Sequence, residues 1–126
     1  MLTPSLSCIQ KALESGFRAL LIDSCKCRVV GVALCHEVCV GGYREVAPVF
    51  THIVDFLALN PGEVVIIELQ VGMGSFGELM DAVFKIPGFA SAIYEHPGIE
   101  YDWPLMQDLI DSNKVRTCLT VLILMK

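Results

Sequence analysis

The sequence has few charged residues and no long apolar run. Charged side chains make up 18 % of the 126 residues and apolar ones 54 %, and the mean hydropathy is +0.60. This composition excludes an intrinsically disordered chain, which needs low hydrophobicity and high charge. The longest apolar stretch, residues 119–125, is broken by Thr120 and is far shorter than the roughly 20 residues of a membrane span. We expect one domain at most, with more apolar surface than it can bury alone.

Clustered basic residues and nucleotide-binding motifs are also lacking. The 9 basic residues are scattered among 14 acidic ones, and the net charge is −5. Because nucleic-acid binding needs a basic patch, no nucleic-acid partner is predicted. The glycines at 41–42 and 72–74 match no P-loop or dinucleotide fingerprint, and no G-x-S-x-G elbow is present. No basic segment followed by an apolar core marks a secretory signal, so the compartment stays open.

Cysteine, in contrast, is abundant. The six cysteines are Cys8, Cys25, Cys27, Cys35, Cys39 and Cys118. Their C-x-C and C-x3-C spacings, without a second pair, disfavour structural zinc. Disulfides would indicate an oxidising compartment, but the sequence does not choose among the many connectivities. Buried thiols that act as small apolar residues are an equal alternative for Cys8 and Cys118.

Hydrophobic periodicity predicts alternating helices and strands. Apolar residues at helical spacing predict helices over residues 4–15, 45–59, 76–84 and 102–113. Short apolar runs predict strands over residues 19–23, 29–35, 64–69 and 117–124. Residues 25–28 read as a polar break, and the run 64–69 is apolar on both faces, as in a parallel strand covered on two sides. This order predicts an α/β fold with a mostly parallel sheet.

Three polar residues, Asp23, His36 and Glu68, lie at or near the ends of three successive apolar runs. Because ligand sites of parallel α/β folds lie beyond the carboxyl ends of the strands, we expect these residues at one rim. A structural role is the alternative for each. The set suits acid–base cleavage of a phosphodiester by an imidazole with orienting carboxylates, or binding of calcium or magnesium. His52 and His96 are expected to be uninvolved.

Four segments resemble the phosphatidylinositol-specific phospholipase C X domain and its PLC-like phosphodiesterase relatives. Residues 16–23, G-F-R-A-L-L-I-D, resemble G-x-R-x-L-x-x-D, and residues 34–41, L-C-H-E-V-C-V-G, resemble L-C-H-x-x-C-x-G. Residues 56–65, F-L-A-L-N-P-G-E-V-V, are similar to F-L-x-x-N-P-x-E-V-V, and residues 103–114 fit the first twelve positions of W-P-x-x-x-x-L-I-x-x-x-K-R. The segments occur in the family's order over about residues 8 to 116.

The resemblance implies a TIM-type (β/α) barrel and hydrolysis of a phosphodiester, often in a phosphoinositide lipid, with peripheral membrane contact. His36 matches one of the two family histidines that act as general acid and base. Asp23 matches an orienting carboxylate. Glu68 would be an auxiliary acid or metal ligand, and Gln70 on the same strand face is the alternative position. Leu21 replaces a glutamate of the calcium-dependent members, which disfavours calcium dependence of their type.

The resemblance also implies an incomplete domain. Residues 1–126 would form a single partial barrel of roughly strands 2 to 5, without the first strand, its histidine and the C-terminal half. Residues 115–126 depart from the family's pattern. The alternatives to an enzyme are therefore an inactive fragment or a binding module that lacks the first-strand histidine. A third alternative is a small hydrolase or redox protein that uses Cys35 or the pair Cys25 and Cys27.

Overall fold

The structure is a computed structural model, and it describes residues 6–72, 75–94, 96–98, 100–111 and 117–122. The helices are α1 (Leu6–Glu14), α2 (Val46–Leu59), α3 (Phe76–Phe84), α4 (Phe89–Ala92) and α5 (Met106–Asp111). The strands are β1 (Ala19–Cys27), β2 (Gly31–Leu34), β3 (Val65–Val71), β4 (Ile93–Tyr94) and β5 (Thr117–Leu122). The sequence predicts each of these except α4, β4 and a 3-10 turn at Cys39–Gly41.

All five strands belong to one sheet, in the order β2-β1-β3-β5-β4. The pairs β1–β3, β3–β5 and β4–β5 are parallel, whereas β1 and β2 are antiparallel. Among the described helices, none is long and apolar enough to cross a bilayer. The predicted alternation of helices and strands is present, and three of the four described strand pairs are parallel.

Strand β1 continues through the predicted polar break and forms a hairpin with β2. Cys27 pairs with Gly31 across residues 28–30, and Gly31 has a positive φ of 75°. A three-residue loop followed by a left-handed glycine is a common hairpin connection. A parallel crossover needs a dozen or more residues, so this connection forces β2 to run antiparallel to β1.

Helices α1 to α4 pack against one face of the sheet. The buried core contains Ile9 and Leu13 of α1, the apolar stripe of α2, and Leu79 and Val83 of α3. Strand β3 presents alternate residues to this core, and these are Val65, Ile67, Leu69 and Val71. The intervening residues Ile66, Glu68 and Gln70 are only half-buried. The sequence predicts cover on two sides, and among the residues described the strand is buried more deeply on the core face than on the other.

The predicted partial TIM-type barrel is wrong. A TIM-type barrel, whole or partial, consists of parallel strands that neighbour one another in chain order. Here β2 is antiparallel to β1, and the described strands form an open sheet in the order β2-β1-β3-β5-β4. The short hairpin places β2 at one edge, and the two-residue β4 pairs with β5 alone. The architecture is a mixed α/β domain with helices packed against one face of an open sheet.

An ion pair joins the beginnings of β1 and β3. Arg18 Nε donates to Glu63 Oε2 at 2.7 Å, and the Arg18 guanidinium also donates to the Leu13 carbonyl at 2.7 Å. The same guanidinium lies over the Phe56 ring, 4.9 Å from its centroid. The hydrogen bond from Arg18 lowers the pKa of the Glu63 carboxyl below its ordinary value. Two residues of the family-like segments thus have a structural contact in the fold.

The variant Glu63→Gln is expected to be less stable than the wild type only when the carboxylate is charged. Because water screens the partly exposed pair, the loss at neutral pH should be below about 1 kcal/mol. The pKa of Glu63 is lower in the folded chain, so its contribution is complete above the ordinary value of 4.5. It disappears as the pH falls through the lowered pKa. Urea unfolding across this range measures the difference, with Glu100→Gln at an exposed site as the control.

Candidate active site at the open sheet face

Asp23 lies on the sheet face opposite the helical layer. Its neighbour Ile22 is buried in the core, whereas Leu21 is exposed and Asp23 half-buried. The parallel register places Asp23 beside Gln70 and Leu21 beside Glu68. The alternation of a strand therefore brings Asp23, Glu68 and Gln70 to one face. Gln70, rather than Glu68, is the direct neighbour of Asp23.

One oxygen of the Asp23 carboxylate is buried without a hydrogen-bond partner among the described residues. Burial of an unsatisfied polar group costs about 1–3 kcal/mol. A folded chain retains such a group where a ligand or a reaction uses it, or where a group outside the described residues supplies the bond. A carboxylate with only a structural role, in a loop or at a helix cap, would be hydrogen-bonded or exposed to water. The buried oxygen of Asp23, without a partner in the described part of the chain, therefore favours a functional role.

The variant Asp23→Asn is expected to be more stable than the wild type. The amide has nearly the same shape but no charge to desolvate, so the free energy of unfolding should rise by about 1 kcal/mol. Urea unfolding monitored by circular dichroism measures this change. Asp55→Asn, at an exposed position of α2, is the matched control and should have little effect. A loss of stability in Asp23→Asn would show that the carboxylate has a structural partner.

His36 lies two residues after the end of β2, and the hairpin brings this part of the chain beside Asp23. The Cys35 N–H donates to the Asp23 carbonyl at 3.1 Å, so His36 is one residue beyond a direct backbone contact with Asp23. Its side chain is exposed. The next residue, Glu37, has a φ of 61°, and the Val38 N–H donates to the His36 carbonyl at 2.7 Å. The chain therefore turns sharply at the histidine.

The strand arrangement that brings Asp23, His36 and Glu68 to this region differs from the one predicted. Because β2 is antiparallel to β1, His36 does not lie at the carboxyl end of a parallel strand. The structure brings the His36 backbone close to Asp23, and it places Glu68 on the neighbouring strand, beside Leu21. Their roles as catalytic residues stay predictions.

Four cysteines surround the His36 segment, and the sequence did not assign their connectivity. Disulfides join Cys25 to Cys35 and Cys27 to Cys39, so the Cys35–Cys39 turn that carries His36 is attached to β1 at both ends. In this state the four sulfurs are not nucleophiles, which disfavours the thiol-based alternative. Cys8 is exposed on α1, contrary to the buried-thiol alternative, and the Cys118 side chain lies outside the described part.

His96, which the sequence predicts to be uninvolved, also has defined contacts. Its Nδ1 accepts a hydrogen bond from the Gly98 N–H at 3.2 Å, and its ring centroid lies 4.4 Å from that of Trp103. The Nε2 atom is buried without a partner among the described residues. In the sequence, the family-like Trp103-Pro104 motif was the one feature that could have indicated a packing partner for His96.

The open face of the sheet thus carries a carboxylate oxygen without a partner among the described residues, and the turn with His36 is bonded beside it. This arrangement is suited to acid–base chemistry.

The family model described as PI-PLC X matches residues 3–125. The chain therefore belongs to the PI-PLC X domain family, as its four sequence segments predict. Searches among curated proteins and among solved structures each found no significant match.

Proposed function

We propose that this chain acts as a phosphoric diester hydrolase of the phosphatidylinositol-specific phospholipase C type, with a phosphoinositide lipid as the preferred substrate. The observation that supports this most directly is the family match over residues 3–125. Two features of the fold agree with it. The carboxylate of Asp23 has an oxygen without a partner, and the backbone of the His36 turn is bonded to the same residue through Cys35.

In the proposed reaction, His36 transfers protons as a general acid or base. An oxygen nucleophile attacks phosphorus and forms a new P–O bond while the bond to the leaving alcohol breaks. The nucleophile loses a proton, and the leaving oxygen gains one. A neutral imidazole can accept the first proton, and an imidazolium can donate the second. The exposed His36 side chain is accessible to a substrate headgroup for either step.

Asp23 would orient the imidazole or a substrate hydroxyl by accepting a hydrogen bond. This role uses the carboxylate oxygen that has no partner among the described residues. Glu68, two residues before Gln70 on β3 and on the same face, would serve as an auxiliary acid or as an oxygen ligand. Calcium or magnesium accepts such oxygen ligands and would neutralise charge on the phosphate.

A binding module without turnover is the second candidate. His52 lies on α2 and His96 packs against Trp103, so His36 alone among the three histidines lies beside the Asp23 segment. A family site that uses two histidines would then be incomplete in this chain. Such a protein could retain phosphodiester recognition without cleavage.

The experiment that tests the proposal supplies the whole chain with phosphatidylcholine vesicles that contain phosphatidylinositol. Release of a water-soluble inositol phosphate measures turnover, and sedimentation with the vesicles measures binding. Turnover that depends on the inositol lipid supports the hydrolase. Sedimentation that depends on this lipid without any release would overturn the hydrolase and favour the binding module.

A further inference from the structure

The four cysteines around the His36 turn form a buried cluster of their own. Cys25 and Cys27 have exposed fractions of 7 % and 6 %, and Cys35 has 2 %. They pack with Ala33 and with the half-buried Cys39, apart from the main apolar core. The cluster therefore concentrates four sulfur ligands in one small volume.

The topology explains why these sulfurs meet despite an unfavourable sequence spacing. Cys25 and Cys27 are two residues apart on β1, so their side chains share a face of the strand. The antiparallel partner β2 ends directly before Cys35, and the left-handed Glu37 turns the chain back towards β1. Cys39 consequently returns to the same side of the hairpin. The C-x-C and C-x3-C segments thereby form one four-sulfur set.

The distances between the sulfurs match those of a tetrahedral metal centre. All four Sγ atoms lie within 4.8 Å of one another. The Sγ of Cys39 is 3.4 Å from that of Cys25 and 3.9 Å from that of Cys35. Four sulfurs at about 2.3 Å from a zinc ion are separated by about 3.8 Å. Only the sulfurs within each bonded pair need to separate for an ion to enter.

The chemistry of the set favours zinc over calcium and magnesium. Four thiolates are soft ligands, which zinc accepts in a closed tetrahedral site, whereas calcium and magnesium require oxygen. Among the residues that the structure describes, these four form the group of histidine, cysteine or acidic side chains whose ligand atoms lie close enough to hold an ion. No open coordination position remains, so the centre would be structural.

We propose that this cysteine cluster is a centre with two states. It contains two disulfides under oxidising conditions and one zinc ion bound by Cys25, Cys27, Cys35 and Cys39 under reducing conditions. Two molecules of a dithiol supply the four electrons and four protons that reduce both disulfides, and each is itself oxidised to a disulfide. Zn²⁺ then replaces the four thiol protons. His36 lies between two of the ligands, so either state attaches its turn to β1.

Metal titration of the whole chain tests this proposal without any assay of activity. The chain is reduced with a dithiol, freed of it without oxygen, and titrated with Co²⁺, whose absorption spectrum distinguishes tetrahedral thiolate coordination from other geometries. We expect one Co²⁺ for each chain, its displacement by one Zn²⁺, and no metal binding by the oxidised chain. A spectrum without sulfur coordination, or no binding, would overturn the proposal.

Single variants identify the ligands. Cys39→Ser and Cys27→Ser each remove one thiolate and should weaken Zn²⁺ binding by about 100-fold or more. Cys8→Ser changes a cysteine on α1 outside the cluster and should leave it unchanged. Equal affinities of all three variants would contradict the assignment. If a variant fails to fold, the spectrum and stoichiometry of the wild-type chain still decide the result.

Discussion

Replacement of His36 by alanine is expected to reduce turnover of phosphatidylinositol by about 100- to 10,000-fold, the usual contribution of a general acid or base. The side chain is exposed at the end of the hairpin, so its removal creates no cavity and should leave the stability nearly unchanged. The measurement is the initial rate of inositol phosphate release, with circular dichroism of the same preparation to confirm the fold.

His52→Ala provides the matched control for this measurement. His52 lies on α2, in the layer of helices on the opposite face of the sheet from Asp23. Its loss should leave turnover within about twofold, because surface substitutions away from a site have small effects. Equal rates for His36→Ala and the wild type would reject His36 as the acid or base, even if the chain is a hydrolase.

Among the substitutions proposed here, Phe50→Ala is expected to lower the free energy of unfolding the most. Phe50 is fully buried on α2, and its ring lies edge-to-face with Phe89 at a centroid distance of 5.9 Å. Truncation of a buried phenylalanine costs about 3–5 kcal/mol, because apolar burial is lost and a cavity remains. Since the free energy of unfolding of small domains is only about 5–15 kcal/mol, this substitution removes a large part of it. Urea unfolding followed by circular dichroism measures the change.

Phe17→Ala separates this packing effect from the general cost of losing a phenyl ring. Phe17 has an exposed fraction of 63 %, so the same substitution should change the free energy of unfolding by less than about 0.5 kcal/mol. If the two variants lose similar stability, then α2 does not pack against the sheet as the structure places it.

Local sequence patterns were sufficient to predict most elements of the fold. The predicted helix over residues 76–84 coincides with α3, and the periodic stripe on residues 45–59 forms α2, whose apolar residues enter the core. These predictions succeed because a helix exposes one stripe to a core and repeats it every three or four residues. The two-residue β4 was missed, because so short a strand has too few residues for a pattern.

The polar break assigned to residues 25–28 shows where the same reasoning fails. Cys25, Lys26 and Cys27 alternate buried, exposed and buried, which is a strand pattern once cysteine is treated as an apolar residue. The hairpin signal was also present, because Gly31 follows a three-residue connection. A break at residues 25–28 predicts two separate parallel strands, and with them three polar residues at one rim. A parallel neighbour was excluded by the length of the connection alone.

The sequence by itself determined the family and the apolar stripes of the helices, and it predicts Asp23, His36 and Glu68 as candidate site residues. Only the tertiary structure decided which residues are neighbours. It placed Gln70 beside Asp23, joined Arg18 to Glu63, and gathered four cysteines with unfavourable spacing into one cluster. The physical reason is that side-chain periodicity is a local property of the backbone, whereas strand register and loop closure depend on residues far apart in the chain.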